Sequence, residues 1–281
     1  MILSESKENY LDSTENGWRF LDGGLGDGAA NMSEDMACLM ACEQRLCPPT
    51  IRLYGWERPT LTLGYGQEAT RLINLDKASQ LEIPIIRRPT GGRVLLHDEE
   101  LTYSLISPND HPVFSGGLKN SMCVISEILT NSLVDLGCSK DDIRFALPVR
   151  SKGQSDPACF ALANHFELTC QGKKIIGSAQ RRMKYAFLQH GSILLNFNRP
   201  LLNSLLFFKN EELSQNSLIG LTQSSISLNE YFRRIVSFQH AYAAFKEGFS
   251  KFLNTKLVPG ILTQEEIKYR KDWLNNCRIK L

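Results

Sequence analysis

The 281-residue sequence has no apolar run that approaches the roughly 20 residues a membrane-spanning helix needs. Its first 16 residues are polar and charged, and they lack the basic-then-apolar layout of a signal peptide. These two absences predict a cytoplasmic protein that does not associate with membranes.

The sequence also lacks a strong excess of charge of either sign. The formal net charge is +2, and no long basic run interrupts the chain. Nucleic-acid and polyphosphate binders usually carry a basic stripe or patch. The charge pattern therefore predicts no nucleic-acid partner.

Zinc-type cysteine pairs are missing as well. The eight cysteines include no Cys-x-x-Cys pair, and the Cys38, Cys42 and Cys47 group has no histidine nearby. This spacing misses the usual zinc patterns and predicts no metal. Cys38 and Cys42 are four residues apart in a helical pattern, which predicts small buried hydrophobic side chains on one helix face.

Internal repeats, low-complexity blocks and Pro/Gly linkers are absent, so nothing divides the chain in two. We expect a flexible tail over 1–16 and one catalytic domain over 17–281 that ends in helices. Asn31 and Glu34 predict the cap of a helix over 31–46, and Thr263 with Glu266 predicts a capping box for the last helix. Further helices are predicted over 118–136 and beyond 226.

Strand-like runs fill much of the intervening chain. They are predicted at Ile51–Tyr54, Thr60–Gly64, Ile83–Arg87 and Leu101–Ser107, and the section 164–197 is strand-rich and broken by glycines. Together these patterns predict an α+β fold, with helices packed on a mixed, largely antiparallel sheet.

The segment Arg87–Asp98 is the first that suggests chemistry. Adjacent Gly91 and Gly92 let the backbone approach a ligand, and successive N–H groups in such a turn can hold an anion or a carbonyl oxygen. A Gly-Gly pair alone is usually a hairpin turn. Here three arginines, a threonine and a histidine flank it. No Walker or Rossmann glycine pattern accompanies it.

Two other segments carry reactive residue types. Lys174 precedes an apolar pair and Gly177, so its ammonium could be desolvated and could do acid–base work. For an arbitrary lysine, a surface position on a hairpin is the more common case. Cys159 lies between Pro157 and Phe160 in a loop-like context, where a nearby cation would favour a reactive thiolate.

These segments, in this order, resemble the lipoate–protein ligase and octanoyltransferase family, and the resemblance runs from about Trp18 to the C-terminus. The motifs that carry it are Arg88–Arg93 with His97 and Asp98, Leu101–Ser104, Lys174–Arg181 and Gln189–Leu195. Within the family, Ala158-Cys159-Phe160 and the tail from Leu257 are most similar to LipM-type octanoyltransferases.

The resemblance implies a biotin/lipoate protein ligase-like catalytic domain that moves an octanoyl group from acyl carrier protein, through a cysteine thioester, to a lysine of a lipoyl domain. That acceptor would be a protein such as the glycine cleavage H protein, and no cofactor is implied. The catalytic residues implied are Cys159 and Lys174. The substrate-binding residues implied are Arg88, Thr90, Gly91, Gly92, Arg93, His97, Gly177, Ser178, Ala179 and His190.

Three alternatives share this fold. An ATP-dependent lipoate ligase would use Lys174 and ignore Cys159. An amidotransferase would move the octanoyl group between two lipoyl domains, again through a cysteine. An inactive acyl- or protein-binding module would be free to lose Cys159, Lys174 and the Gly-Gly turn, yet all three are present.

Overall fold

A computed structural model describes residues 17–145 and 167–279. The predicted tail over 1–16 and the predicted nucleophile Cys159 lie outside these residues. The single-domain organisation over 17–281 stays a prediction.

The strands form a large and a small sheet within the described ranges. The large sheet has eight strands in the order β11-β1-β2-β6-β10-β9-β8-β7, and the small sheet has the order β4-β3-β5. The strands are β1 (Arg19–Gly26), β2 (Thr50–Trp56), β3 (Thr60–Leu63), β4 (Ile85–Arg87), β5 (Leu95–His97), β6 (Glu100–Pro108), β7 (Ile143–Phe145), β8 (Leu168–Cys170), β9 (Lys173–Arg182), β10 (Ala186–Leu194) and β11 (Val258–Pro259).

Helices cover both faces of the large sheet. They are α1 (Gly28–Glu43), α2 (Ala69–Leu72), α3 (Leu75–Gln80), α4 (Gly117–Asp135), α5 (Arg199–Leu205), α6 (Glu211–Ser224), α7 (Leu228–Phe232), α8 (Phe238–Phe252) and α9 (Gln264–Cys277). Strand β1 runs parallel to β2 and β11, whereas β6, β10, β9, β8 and β7 pair antiparallel. The predicted α+β fold with a mixed, largely antiparallel sheet is confirmed. No helix in 17–145 or 167–279 is long and apolar enough to cross a bilayer.

Strand β6 shows why the two faces of the large sheet differ. Side chains alternate across a strand. Leu101, Tyr103 and Leu105 are fully buried in the main core with residues of α4 and α8, such as Ile125 and Phe249. Burial of each such side chain contributes about 1.5–3 kcal/mol. The intervening β6 positions point to the opposite face, which carries polar groups and the candidate site.

The first helix begins earlier than predicted. Its cap is Asp27, whose side chain accepts hydrogen bonds from Ala29 and Ala30 N–H. Asn31, the predicted cap, lies inside the helix and donates its side-chain amide to the Gly55 carbonyl oxygen (3.0 Å). Asp27 and Asn31 both have side chains that can cap a helix. The tertiary contact between Asn31 and Gly55 leaves Asp27 as the cap. Helices α5 and α6 were not predicted.

Two other local predictions are confirmed. Cys38 and Cys42 are buried in α1. Thr263 and Glu266 form a capping box at the start of α9, with both reciprocal hydrogen bonds present.

The buried ion pair between Arg19 and Glu266 attaches α9 to β1. Arg19 Nη1 donates to Glu266 Oε2 (2.8 Å), and Glu266 is fully buried. Burial alone would raise the pKa of the Glu266 carboxyl, but the hydrogen bond and charge of Arg19 and the Thr263 hydrogen bonds together outweigh burial and lower the pKa.

We expect Glu266→Gln to lower the free energy of unfolding by about 2 kcal/mol, because a charged hydrogen bond becomes a neutral one while an acceptor for Thr263 N–H is kept. Urea unfolding followed by circular dichroism measures this. Glu265→Gln, at the exposed neighbouring position, should change stability by less than about 0.5 kcal/mol. Equal effects of the two changes would contradict the assignment of Glu266 as the buried partner of Arg19.

Candidate active site

A partly open cavity lies on the polar face of the large sheet. Strands β6, β9 and β10, strand β5, helix α1 and the loop between β4 and β5 wall it, and it has about 480 Å³ of empty space, including the part open to solvent. Its lining residues are Met32, Arg88, Gly92, Leu95, His97, Thr102, Glu167, Gly177, Ser178, Ala179, His190, Gly191 and Ser192.

Most of the predicted substrate-binding residues meet at this cavity. Those that line it are Arg88, Gly92, His97, Gly177, Ser178, Ala179 and His190. The others, Thr90, Gly91 and Arg93, belong to the same loop as Arg88 and Gly92 but are not among the lining residues. The binding roles of all ten stay predictions.

Strand register explains how distant motifs come together. Gly177 and Ala179 of β9 lie opposite Ser192 and His190 of β10, and Ser192 lies opposite Thr102 of β6. The small residues on β9 leave space above the sheet, and the cavity occupies that space.

Arg88 shapes the Gly-Gly loop from inside. Its Nε and Nη2 donate to the Gly91 carbonyl oxygen (3.1 and 2.8 Å), Nη2 also donates to Arg93 O (2.7 Å), and Nη1 donates to Thr62 O (3.2 Å). The guanidinium is buried, at 3% exposure. Arg88 therefore holds the Gly-Gly loop by donating hydrogen bonds to the loop's carbonyl oxygens.

The Gly-Gly loop also depends on close backbone packing against Gly64. A Cβ added at Gly64 would overlap the Gly92 carbonyl oxygen. We expect Gly64→Ala to lower the free energy of unfolding by about 1–3 kcal/mol, because backbone rather than a flexible side chain must move. Gly66→Ala is the matched control, since nothing lies within 4 Å of its added Cβ. Urea titrations that gave both variants the same midpoint would contradict the close packing.

Lys174 is buried beside the cavity wall. Its side chain is 1% exposed, and its Nζ donates to Glu167 Oε1 at 2.5 Å. Glu167 is 2% exposed and lines the cavity. The expected desolvation of Lys174 is thus present, with a buried carboxylate holding its ammonium.

His190 connects three elements. Its Nδ1 is 2.8 Å from Asp35 Oδ2 on α1, and its Nε2 is 2.7 Å from Thr90 Oγ1 in the Gly-Gly loop. Because Nδ1 faces a carboxylate, the neutral ring donates Nδ1–H to Asp35 and accepts the Thr90 hydroxyl at Nε2. His190 therefore both lines the cavity and links α1 to the loop.

Sequence reasoning missed several residues of this site. Glu167, Asp35 and Met32 were not predicted; Thr102 and Ser192 lie in the motifs Leu101–Ser104 and Gln189–Leu195 that carry the family resemblance, but neither was named as a binding residue. Met32 and Asp35 fall in the predicted helix 31–46, and Thr102 falls in a predicted strand, but neither pattern marks a cavity. The signal available in the sequence for the polar ones among these residues was the presence of polar side chains inside otherwise apolar helices and strands. Within the described ranges, no group of three or more His, Cys, Asp or Glu residues could hold a metal ion.

Comparisons with known proteins agree on one family. The model of the lipoyl protein ligase A/B catalytic domain matches residues 27–250. An octanoyltransferase LipM of Brevibacillus brevis is 38% identical over 253 residues, which are 89% of this chain and 92% of that protein. An octanoyltransferase LipM of Bacillus subtilis is 37% identical over 258 residues, which are 90% of this chain and 92% of that protein.

Solved structures share the fold. A two-part lipoate protein ligase of Thermoplasma acidophilum, described with its E2 lipoyl domain, superposes with a TM-score of 0.75 at 20% identity over 93% of each chain. A lipoate-protein ligase A bound with ATP gives a TM-score of 0.72 at 21% identity over 93% of this chain and 94% of that one. The family resemblance predicted from the motifs is confirmed: the chain belongs to the lipoyl protein ligase A/B catalytic-domain family.

Proposed function

We propose that this chain is an octanoyltransferase of lipoate biosynthesis that takes its octanoyl group from acyl carrier protein and delivers it to a lysine of a lipoyl domain, such as that of the glycine cleavage H protein. One structural observation carries the proposal: the buried Lys174 ammonium is paired with Glu167, and Glu167 lines a cavity with glycine-rich sides. Relatives named octanoyltransferases, at 36–39% identity over about nine-tenths of the chain, support octanoyl as the transferred group.

The cavity supports an acyl substrate. Met32 and Leu95 supply apolar surface, and the backbone at Gly92, Gly177 and Gly191 can come close to a ligand because no side chain intervenes. A medium-length alkyl chain would gain about 25 cal/mol for each Å² of apolar surface it buries. Lys174 would lie beside the carbonyl end.

The chemistry proposed has two steps. The Cys159 thiolate attacks the thioester carbonyl, the C–S bond to the carrier breaks, and the carrier thiol takes up a proton. The neutral amine of the acceptor lysine then attacks the Cys159 thioester, and an amide forms as the Cys159 thiolate leaves and the amine loses a proton. Splitting one acyl transfer into two easier steps is the usual gain from covalent catalysis.

Lys174 has two roles in this scheme. Its ammonium favours the thiolate form of Cys159 and donates a hydrogen bond to the oxyanion of each tetrahedral intermediate. We place the reaction in the cytoplasm, where reducing conditions keep such thiols free.

Intact-protein mass spectrometry after mixing with octanoyl carrier protein, without ATP, tests the proposal. Wild type should gain one octanoyl group, and a lipoyl domain should discharge it; Cys159→Ser should form no labile thioester. Cys123→Ser is the matched control, because Cys123 is a free, exposed cysteine.

Other outcomes would select the alternatives. Acceptor modification that requires ATP and free octanoate would make the chain a ligase and remove the role of Cys159. Loading of the enzyme by octanoylated H protein, in place of octanoyl carrier protein, would make it an amidotransferase. If no donor reacts, the remaining alternative is an inactive acyl- or protein-binding module.

A further inference from the structure

The Glu100 carboxylate accepts hydrogen bonds from several side chains beneath the cavity. One oxygen, Oε1, faces His97 Nδ1 (2.8 Å), Thr102 Oγ1 (2.6 Å), Ser192 Oγ (2.7 Å) and Trp56 Nε1 (3.1 Å). The Glu100 side chain is buried, at 3% exposure of the residue. Four donors from four strands, β2, β5, β6 and β10, therefore converge on one carboxylate oxygen.

The direction of the hydrogen bond at His97 is fixed by Glu100, because a carboxylate oxygen can only accept. The ring tautomer that donates Nδ1–H to Glu100 accepts at Nε2 from the Thr62 hydroxyl, whose oxygen lies 2.8 Å away. Arg88 Nη1 in turn donates to Thr62 Oγ1 (3.1 Å). A directed chain of hydrogen bonds thus runs from Arg88 to Glu100.

Three of the four residues that donate to Glu100 also line the cavity. His97, Thr102 and Ser192 are all lining residues. Their polar hydrogens point at Glu100, and the ring of His97 stacks on Trp56 with centroids 3.9 Å apart and planes 14° apart. We therefore expect these three side chains to present carbon to the cavity: the free ring face of His97, the Thr102 methyl and the Ser192 methylene.

A purely structural role does not account for this carboxylate. Its second oxygen, Oε2, is buried and has no hydrogen-bond partner in the described parts of the chain. A buried oxygen without a partner costs about 1–3 kcal/mol, and such groups are uncommon in native proteins. A residue with fewer acceptors could hold the same strands together at a lower cost in stability.

We propose that Glu100 is a specificity-determining positioning residue: it draws the polar hydrogens of His97, Thr102 and Ser192 away from the cavity, so that the cavity accepts an unsubstituted alkyl chain and rejects one with a hydroxyl group. This inference rests on the proposed octanoyl transfer. An alkyl chain meets a surface without unpaired donors, whereas a hydroxylated chain must give up its water without finding a partner.

Glu100→Gln tests this most directly. The amide keeps one acceptor oxygen, but this oxygen is neutral and holds the donors more weakly than a carboxylate oxygen does, so the cavity hydroxyls turn into the cavity more easily. Donors for the assay are carrier proteins loaded with octanoyl or with octanoyl hydroxylated at carbon 4, 6 or 8. Wild type should prefer octanoyl by up to about 100-fold in kcat/KM. Glu100→Gln should reduce that ratio by about tenfold at the carbon that faces these side chains.

Rescue separates specificity from folding. Adding Thr102→Val and Ser192→Ala to Glu100→Gln removes the released hydroxyls and should restore most of the preference for octanoyl. If Glu100→Gln does not fold, Thr102→Val/Ser192→Ala in the wild-type background decides the matter. Because those hydroxyls already point away from the cavity, the preference should stay within about twofold; a preference that rises several-fold would overturn the proposal.

The remaining outcomes are also distinct. A folded, active Glu100→Gln enzyme with an unchanged ratio at every hydroxyl position would overturn this inference and leave octanoyl transfer intact. A wild-type protein that moves no octanoyl group would overturn the proposed function itself.

Discussion

Lys174→Met should lower kcat for octanoyl transfer by about 10²–10³-fold and leave KM for the octanoyl donor within about threefold. Loss of one donor to a developing oxyanion typically costs a factor of this size. The Lys174 ammonium is buried, at 1% exposure, and is held by Glu167 at 2.5 Å. The group is therefore fixed in place before the substrate arrives, and the low-dielectric surroundings strengthen its interaction with an anion. Steady-state kinetics with octanoyl carrier protein measures both constants.

The neighbouring lysine supplies the control. Lys173 is partly exposed and donates from Nζ to the Thr222 carbonyl oxygen at 3.3 Å. Lys173→Met should keep kcat within about twofold, because an exposed charge adds little. Similar losses at both positions would indicate a general electrostatic effect and count against a specific role for Lys174.

Folding has to be separated from catalysis in this test. Lys174→Met leaves the Glu167 carboxylate buried beside an apolar side chain, and breaking a buried ion pair on one side costs about 3–5 kcal/mol. The double variant Lys174→Met/Glu167→Gln removes both charges together, so it should recover most of the stability. It should remain inactive, since the ammonium is still absent.

The fold and half of the site followed from local sequence patterns. The Arg88–Arg93 loop and the Gly177–Ala179 strand segment were identified because glycines and charged residues stand together in the sequence, and such signals are local. The helix stripe that contains Ile125 and Leu129 and the capping box at Thr263 are local too.

Local sequence patterns did not predict which side chains meet across long sequence distances. Asp35 and His190 are 155 residues apart, and Ser192 and Glu100 are 92 residues apart. Each pair depends on which strands are neighbours and in which register. A shift of one residue in β10 would turn His190 and Ser192 to the other face of the sheet. Glu167 is only seven residues from Lys174, but the sequence does not show that the pairing of β8 with β9 brings the two side chains together.

Asp35 lies at the centre of the network behind the cavity, and Asp35→Asn should lower the free energy of unfolding at pH 7 by about 3–5 kcal/mol. Its carboxylate is fully buried, pairs with Arg52 through Nη1, and accepts from Tyr54 Oη and from His190 Nδ1 (2.8 Å each). The neutral amide would leave the fully buried Arg52 guanidinium without its closest counter-charge. Urea unfolding followed by circular dichroism gives the difference.

Glu34 is the matched control, because it contacts the same arginine from a more exposed position. Glu34 Oε2 is 2.6 Å from Arg52 Nη2, and the Glu34 side chain is 24% exposed. Solvent screens a pair of this kind, so Glu34→Gln should cost about 1 kcal/mol or less. A larger loss at Glu34 than at Asp35 would contradict the assignment of Asp35 as the main partner of Arg52.

The pH dependence of the Asp35→Asn effect follows from the sign of the pKa change. Burial alone would raise the pKa of the Asp35 carboxyl, but the Arg52 charge and the His190 hydrogen bond outweigh burial and hold it below the ordinary value of 3.8. A carboxyl whose pKa is lower in the folded state stabilises the fold at pH values above its unfolded pKa, and this stabilisation is lost as the pH falls through the folded pKa. The stability gap between wild type and Asp35→Asn should therefore be constant from pH 7 to about pH 5 and shrink below about pH 4. A gap that instead grew as the pH fell would mean that the buried carboxyl is protonated in the native protein, and the link from α1 through His190 to Thr90 would then lack its charge.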